Sequence, residues 1–215
     1  MNTILSAIEI RIIGSLIEKE LTTPEYYPLT LNALKNACNQ KNNRNPVVSF
    51  DENLIEPVLN KLRDKSLARR VTGSDIRVPR YKQGFTEELN LQPDETAVIC
   101  ELMLRGPQTP GELKGRASRM FNFDSLSQVD EVLQRLLNRE QPMVIKLPRQ
   151  SGMKESRYAH LLSGEPEINN PEIRENEIAA AEDDRITKLE EQVLTLRNDF
   201  EELKNQFENF RAQLE

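Results

Sequence analysis

The sequence has no tryptophan, one histidine, two cysteines and no long apolar run, and each scarcity removes a class of function. Two cysteines cannot build a disulfide framework, and neither has a histidine at metal-ligand spacing, so no metal site and no cofactor are expected. Cys38 and Cys100 stand beside apolar helical positions, where a free thiol acts as a small buried hydrophobe. No segment reaches the roughly 20 apolar residues of a spanning helix. Met1 to Glu9 has neither the basic leader nor the apolar run of a signal peptide. The expectation is a cytoplasmic protein with no membrane partner. His160 falls on a predicted strand between Ala159 and Leu161 with no nucleophile at a recognisable distance. Gly111 and Gly115 flank Glu112-Leu113-Lys114, but no Lys-Ser/Thr pair follows, so this is no phosphate loop. No convergent set of acid, base and nucleophile emerges; no catalytic residue is assigned and an enzyme is not expected.

What is abundant is charge, 30% of 215 residues, and it is unevenly placed. The net charge of −6 divides into +4 over residues 1–86, −1 over 87–163 and −9 over 164–215. A basic front and an acidic tail suit separate modules with different partners.

The chain also repeats itself. Ile12, Ile13, Leu16 and Ile17 recur as Val98, Ile99, Leu102 and Met103, displaced by 86 residues, and at that displacement Leu5, Glu9 and Thr23-Pro24 map to Leu91, Glu95 and Thr109-Pro110. The apolar residues form one stripe of a 3.6-residue period, so each block opens on an amphipathic helix. A second helix follows in each: Leu31 to Gln40, entered after Pro28 and Thr30, and Glu112 to about Met120, the latter entered through a capping box of Thr109 and Glu112 with Pro110 at its first position. A third helix repeats at a displacement of 74: Ile55, Val58, Leu59 and Leu62 match Val129, Val132, Leu133 and Leu136. The first block thus carries 12 more residues between its Thr-Pro and its third helix. Ser49 with Glu52 reads as the cap of one third helix, Asp124 or Ser125 as that of the other, and Pro57 requires the first to start near Leu54 or to kink. Each block ends in an extended pair: Ala68 to Val71 with Ile76 to Tyr81 across a Thr72 to Asp75 turn, and Met143 to Leu147 with Ser156 to Leu161 across Ser151-Gly152. Both return strands contain Arg-Tyr.

Three helices and a hairpin, twice over, predict a mainly α protein with small β-hairpins: two tandem winged helix-turn-helix domains, at 1–86 and 87–163. Residues 164–184, rich in Pro, Asn and Glu, read as an acidic flexible linker. Over 185–215, Ile186, Leu189, Val193, Leu196, Phe200, Leu203, Phe207, Phe210 and Leu214 alternate spacings of three and four, the seam of a C-terminal coiled-coil helix. A homodimer through this helix is expected, mildly favouring parallel chains; a helix folded back on its own domains fits the same spacing.

Two classes of partner stay open. The first block carries Lys61, Arg63, Lys65, Arg69, Arg70, Arg77, Arg80 and Lys82 opposed only by Asp64 and Asp75, with most of the bases on the hairpin, as phosphate contacts of double-stranded DNA require. The acid-free run Asn39 to Asn45 adds Lys41, Asn43 and Arg44 as base-edge readers. The nucleic-acid candidates are Lys41, Asn43, Arg44, Arg69, Arg70, Arg77, Arg80 and Lys82; Lys114, Arg116 and Arg119 form a smaller patch in the second block. Asp51, Glu52 and Glu56 open the first block's third helix and repel phosphate at the end that normally enters the groove, and Asp124, Asp130 and Glu131 do the same in the second. Another protein is therefore the alternative partner, the winged helix serving as an interaction module with no nucleic acid.

Three stretches carry a family likeness: Thr22-Thr23-Pro24-Glu25 with Tyr27-Pro28-Leu29; Ala37-Cys38-Asn39-Gln40-Lys41 with Asn43-Arg44 and Pro46-Val47; and Leu104-Arg105-Gly106 with Gln108-Thr109-Pro110-Gly111-Glu112-Leu113, Arg116-Ala117 and Arg119-Met120. Glu155-Ser156-Arg157-Tyr158 with His160-Leu161 extends it. The chain resembles the YceH-like family of bacterial proteins over residues 1–164. The resemblance implies the tandem winged-helix fold and brings no activity, ligand or site residue with it.

Overall fold

The computed structural model describes residues 4–72, 78–149 and 155–165. The first helix, α1 (Ala7–Thr22), starts where its sequence supplies a reciprocal cap: Ser6 Oγ accepts from Glu9 N at 3.3 Å and Glu9 Oε2 accepts from Ser6 N at 2.8 Å. Its apolar stripe, Ile12, Ile13, Leu16 and Ile17, is fully buried. A short 3-10 turn, Pro24–Tyr26, leads to β1 (Leu29–Thr30), whose Thr30 caps α2 (Leu31–Cys38) by accepting from Ala33 N at 3.3 Å. Then come α3 (Glu52–Asp64), β2 (Ala68–Val71), β3 (Arg80–Gln83) and the single turn α4 (Phe85–Glu88).

The second repeat follows the same order with α5 (Pro93–Arg105), α6 (Pro110–Ala117), α7 (Leu126–Leu137), β4 (Val144–Lys146) and β5 (Tyr158–His160). Thr109 and Glu112 form the expected capping box, at 3.2 and 3.0 Å. Ser125 caps α7, accepting from Gln128 N at 3.2 Å. The boundary expected at residues 86/87 falls inside α4.

The fold is mainly helical with small antiparallel sheets. One sheet has three strands in the order β1-β3-β2, with Leu29 opposite Tyr81 and Arg69 opposite Lys82; the other pairs β4 with β5. Side chains of both repeats meet in one apolar cluster around α1 and α5. The two helices approach closely at Gly14, where a Cβ would lie 2.9 Å from Leu104 Cδ2 and 3.3 Å from Met103 Cβ. Cys100, its counterpart 86 residues on, donates to Gly14 O at 3.3 Å. Both cysteines are buried, and burial pushes the Cys38 thiol up to about 11.

Several local expectations need correcting. α2 ends two residues early, at Cys38, and α6 runs Pro110–Ala117 rather than Glu112 to Met120. Asp51, not Ser49, caps α3, accepting from Leu54 N at 2.8 Å, while Glu52 instead pairs with Lys35 at 2.8 Å. The helix therefore starts at Glu52 and Pro57 lies inside it, exposed, where it withholds only the N–H that the Asn53 carbonyl would take.

The largest correction concerns the repeat. Thr23 ends α1, whereas Thr30 holds the capping place of Thr109, a displacement of 79; Leu34 and Cys38 then match Leu113 and Ala117, all four buried. The first repeat's extra residues are split, seven before α2 and five after it.

Among the described residues no helix is long and apolar enough to cross a membrane. The tips of both hairpins, Arg77, nearly all of the linker and the whole heptad seam from Ile186 to Leu214 lie outside the described residues.

Candidate functional site

Residues directly opposite in an antiparallel pair share a face of the sheet. Ala68 with Gln83 and Arg70 with Tyr81 therefore lie on one face of the first hairpin, and Arg69 with Lys82 and Val71 with Arg80 on the other. Ala68, Tyr81 and Gln83 are buried, so the first face is the core side and Arg69, Arg80 and Lys82 project from the outer one. Arg69 is exposed and pairs with Glu87 at 2.6 Å; Arg80 is exposed and donates to Pro28 O at 3.0 Å. Arg70 belongs to the core side, but β2 is an edge strand and leaves it exposed, in a shallow groove with Leu59, Asn60 and Arg63 of α3. The basic residues thus flank both sides of the hairpin edge next to the C-terminal half of α3.

The loop between α2 and α3 has a different role from the one its composition suggests. Lys41 is exposed, but Arg44, expected at base edges, has a side chain with no exposure at all. Its guanidinium donates to both oxygens of Glu18, to Ala37 O at 2.9 Å, to Gln40 Oε1 at 3.2 Å and to Asn43 O at 2.9 Å. It cannot reach a ligand without abandoning a buried carboxylate. Asn43, half-buried with a φ of 60°, accepts at Oδ1 from Arg105 of α5. Asn45 continues the contact, its N donating to Leu104 O at 2.9 Å. Asn39 closes the loop on itself, exchanging bonds of 2.7 and 2.8 Å with Phe50 O and N.

Arg119, expected in a surface patch, joins the same cluster: it sits 2.6 Å from Glu18 and 2.7 Å from Glu101, and Arg105 is 3.1 Å from Glu101. Burial alone would raise the Glu18 carboxyl, but the bond and charge of Arg44 and the charge of Arg119 outweigh it and hold it below its ordinary value. Burial likewise opposes the Arg119 charge, and the bonds it donates to Glu101 and the charge of Glu18 raise it instead. Arg105 is lowered by burial. No pattern in the sequence announces this cluster. The available signal is Glu18, one turn beyond Gly14 on the buried face of α1.

The second hairpin differs on its outer face. Val144 opposite His160 occupies the register of Ala68 opposite Gln83, so Ile145 and Ala159 stand where the first repeat has Arg69 and Lys82. His160 is half-buried, its Nδ1 is buried with no partner among the described residues, and desolvation lowers its pKa to about 4, so the ring is neutral. Among the described residues no group of three or more His, Cys, Asp or Glu side chains is placed to hold a metal ion. A cavity of about 1030 Å³ lies where the repeats meet, floored by Leu67, Phe85, Met143 and Leu161. The cations at its rim are already paired, Lys65 with Glu9 at 2.6 Å, Arg135 with Asp94 at 2.5 Å and Arg139 with Glu95 at 3.1 Å.

Residues 5–153 match the family profile described as "Protein of unknown function, DUF480". A UPF0502 protein of Solibacter usitatus is 52% identical over 201 residues, which cover 92% of this chain and 95% of that relative. UPF0502 proteins of Geotalea uraniireducens and Pelobacter propionicus are 50% and 49% identical, the first covering 98% of both chains and the second the whole of both. With the matched region spanning both helical repeats and the relatives aligned nearly end to end, the chain belongs to this bacterial DUF480 (UPF0502) family.

Proposed function

We propose that the protein is a non-enzymatic cytoplasmic binding protein in which each helix-and-hairpin repeat is a winged helix-turn-helix and the first repeat holds double-stranded DNA. The observation that carries this reading is the outer face of the β2–β3 hairpin: Arg69, Arg80 and Lys82 project from it, with Arg70 and Arg63 at its edge. Cations on a protruding hairpin beside a helix neutralise phosphates and release counterions without reading sequence. The non-enzymatic part rests on the sequence, in which no acid, base and nucleophile converge. The heptad seam of residues 186–214 supports a homodimer, which light scattering of the full chain and of a chain truncated before Arg185 checks.

The test is a duplex titration across salt. The affinity of the full chain is expected to fall linearly on a log–log plot, and replacing Arg69, Arg70, Arg80 and Lys82 by Ala to flatten the slope by up to about 3.6, at about 0.9 per phosphate contact. A folded wild type that binds no duplex at about 50 mM salt, where electrostatic attraction is strong, overturns the reading. A protein partner is then the second reading. It is favoured by the start of α3, where exposed Leu54 (41%) stands among Asp51, Glu52 and Glu56, an apolar and acidic surface unsuited to phosphate.

A further inference from the structure

We propose that Arg105, backed by Glu101 and Arg119, is a positioning residue of the second repeat: it clasps the α2–α3 loop of the first repeat and so holds Lys41 in the shape that meets a bound duplex. The inference rests on the DNA reading for its ligand but not for its geometry. Residues 40–47 contain no regular helix or strand, and their fixed points lie elsewhere in the chain. Pro46 O accepts from Arg11 of α1 at 2.6 Å, Asn45 N donates to Leu104 O at 2.9 Å, Asn45 Nδ2 reaches Arg105 O at 3.4 Å, and the Asn43 side chain bonds the Arg105 guanidinium. Arg44, between them, is anchored to Glu18. Glu18 and Glu101 are both fully buried, and Arg119 touches each of them, so one carboxylate of each repeat shares one guanidinium.

The consequence is asymmetric. Of these anchors Arg44 is buried and Asn43 half-buried, and Asn45 and Pro46, though exposed, are held through the bonds to Leu104, Arg105 and Arg11; Lys41 and Asn42, just before them, are exposed with no such bond among the described residues. A loop pinned at 43–46 has fewer conformations left at 41–42, so Lys41 contacts phosphate with a smaller loss of backbone entropy. Arg105 itself lends no charge to the interface: its Nε faces Glu101 Oε2 at 3.1 Å and its Nη2 faces Asn43. The second repeat, whose own hairpin has Ile145 and the buried Ala159 at the places of Arg69 and Lys82, thereby contributes to binding through the first.

Hydrogen exchange and duplex titration of the full chain test this together. Arg105→Ala leaves Glu101 its bond to Arg119, so the fold is expected to persist, and amides of residues 40–47 should exchange at least about tenfold faster while those of α7 and β5 hold their protection. Asn43→Asp keeps an acceptor for Arg105 and should keep wild-type protection. In duplex binding, Arg105→Ala and Lys41→Ala should each weaken affinity, and the double variant should be no weaker than Arg105→Ala alone, the non-additivity expected when one residue acts through another. Unchanged exchange in 40–47, or a uniform rise across the protein, overturns the clasp. A local rise with fully additive binding losses overturns the presentation of Lys41. If the wild type binds no duplex, the titration overturns the proposed ligand, and the exchange of Arg105→Ala against Asn43→Asp still decides the clasp.

Discussion

In the first repeat Glu9 at the head of α1 pairs with Lys65 just past α3; in the second, Glu95 at the head of α5 pairs with Arg139 just past α7. Arg80 donates to Pro28 O and Arg157 to Pro107 O, both at 3.0 Å, and the tyrosine after each arginine pairs its backbone with the residue before a capping threonine. These matched contacts tie hairpin to helix in the same way twice. What differs is what the scaffold carries. The first repeat has a long α2–α3 loop with a buried Arg44 and a basic hairpin face; the second has a short connection and Ile145 with Ala159 on that face. The scaffold is duplicated, and the basic pair Arg69 opposite Lys82 belongs to the first copy alone.

The sharpest way to break the comparison is to remove what only the first repeat has. Arg44→Ala leaves Glu18, fully buried, with Arg119 and a longer 3.9 Å pair to Lys19, and breaking a buried pair costs about 3 to 5 kcal/mol. Lys41→Ala, three residues away and exposed, should stay within about 0.5 kcal/mol. Thermal or denaturant melts of the two variants check the contrast, and equal small effects would show that the Glu18 cluster does not hold the loop.

A second difference concerns the place shared by Gln83 and His160. Gln83 is fully engaged, donating to Glu20 and Thr86 at 2.7 Å each, whereas His160 has an unpartnered buried Nδ1. Its folded pKa of about 4 lies below the ordinary 6.5, so the unfolded chain takes up the proton first. The stability tied to the neutral ring is complete above pH 6.5 and is lost as pH falls toward 4, up to about 3 kcal/mol. As His160 is the only histidine, the slope between pH 6.5 and 5 belongs to it, before Glu9, Glu18 and Glu112, all lowered, begin to protonate. His160→Gln, which installs the first repeat's residue, should flatten a series of melts across that window; an unaltered slope would place the titration elsewhere.

Where the repeats meet, the effect is smaller. Gly14→Ala sets a methyl 2.9 Å from Leu104 Cδ2 inside a filled core, a strain of about 1 to 3 kcal/mol, offset by about 1 kcal/mol of helix propensity. A net loss of about 1 kcal/mol is expected in denaturant melts. A gain would mean that α1 and α5 separate more readily than their packing suggests.

These contrasts also show which residues spoke in the sequence. The stripes of α1 and α5 and of α3 and α7 were legible because an apolar face needs its spacing in any context, and Thr109 with Glu112 because a capping box is local. Thr23-Pro24 misled for the complementary reason: it shares two letters with Thr109-Pro110 and none of the role, which falls to Thr30, followed by Leu34 and Cys38 on the buried side. The strand β1 has two residues, too few for any alternation to show. Arg44 sits in a polar, acid-free loop that reads as surface. Its burial depends on Glu18, 26 residues earlier, and on Arg119 from the other repeat, which only the assembled fold brings within reach. The hairpin bases Arg69, Arg80 and Lys82 were legible as a cluster, and the register of β2 with β3 adds that Arg70 faces the other way.

The finest comparison is between the two arginines that tie each return strand to a prolyl carbonyl. Arg80 makes that bond and no ion pair among the described residues, whereas Arg157 also pairs with Glu112 at 2.7 Å, and Glu112 in turn returns the capping bond to Thr109 N at 3.0 Å. In the first repeat the position of Glu112 is Ala33, so no such chain exists. Arg157→Ala should therefore cost more than Arg80→Ala. The excess should be at most about 1 kcal/mol, because Arg157 and Glu112 keep about a third of their side chains in water, where a pair contributes roughly 0 to 1 kcal/mol. Salt separates the two further: in about 1 M salt, where charges are screened beyond about 3 Å, the excess should shrink while the bond each arginine makes to its proline carbonyl keeps its share. Melts of both variants at low and high salt give the four numbers. If Arg80→Ala proves the costlier at low salt, Glu112 does not draw its stability from Arg157, and the capping box of α6 stands on Thr109 alone, as Thr30 does in α2.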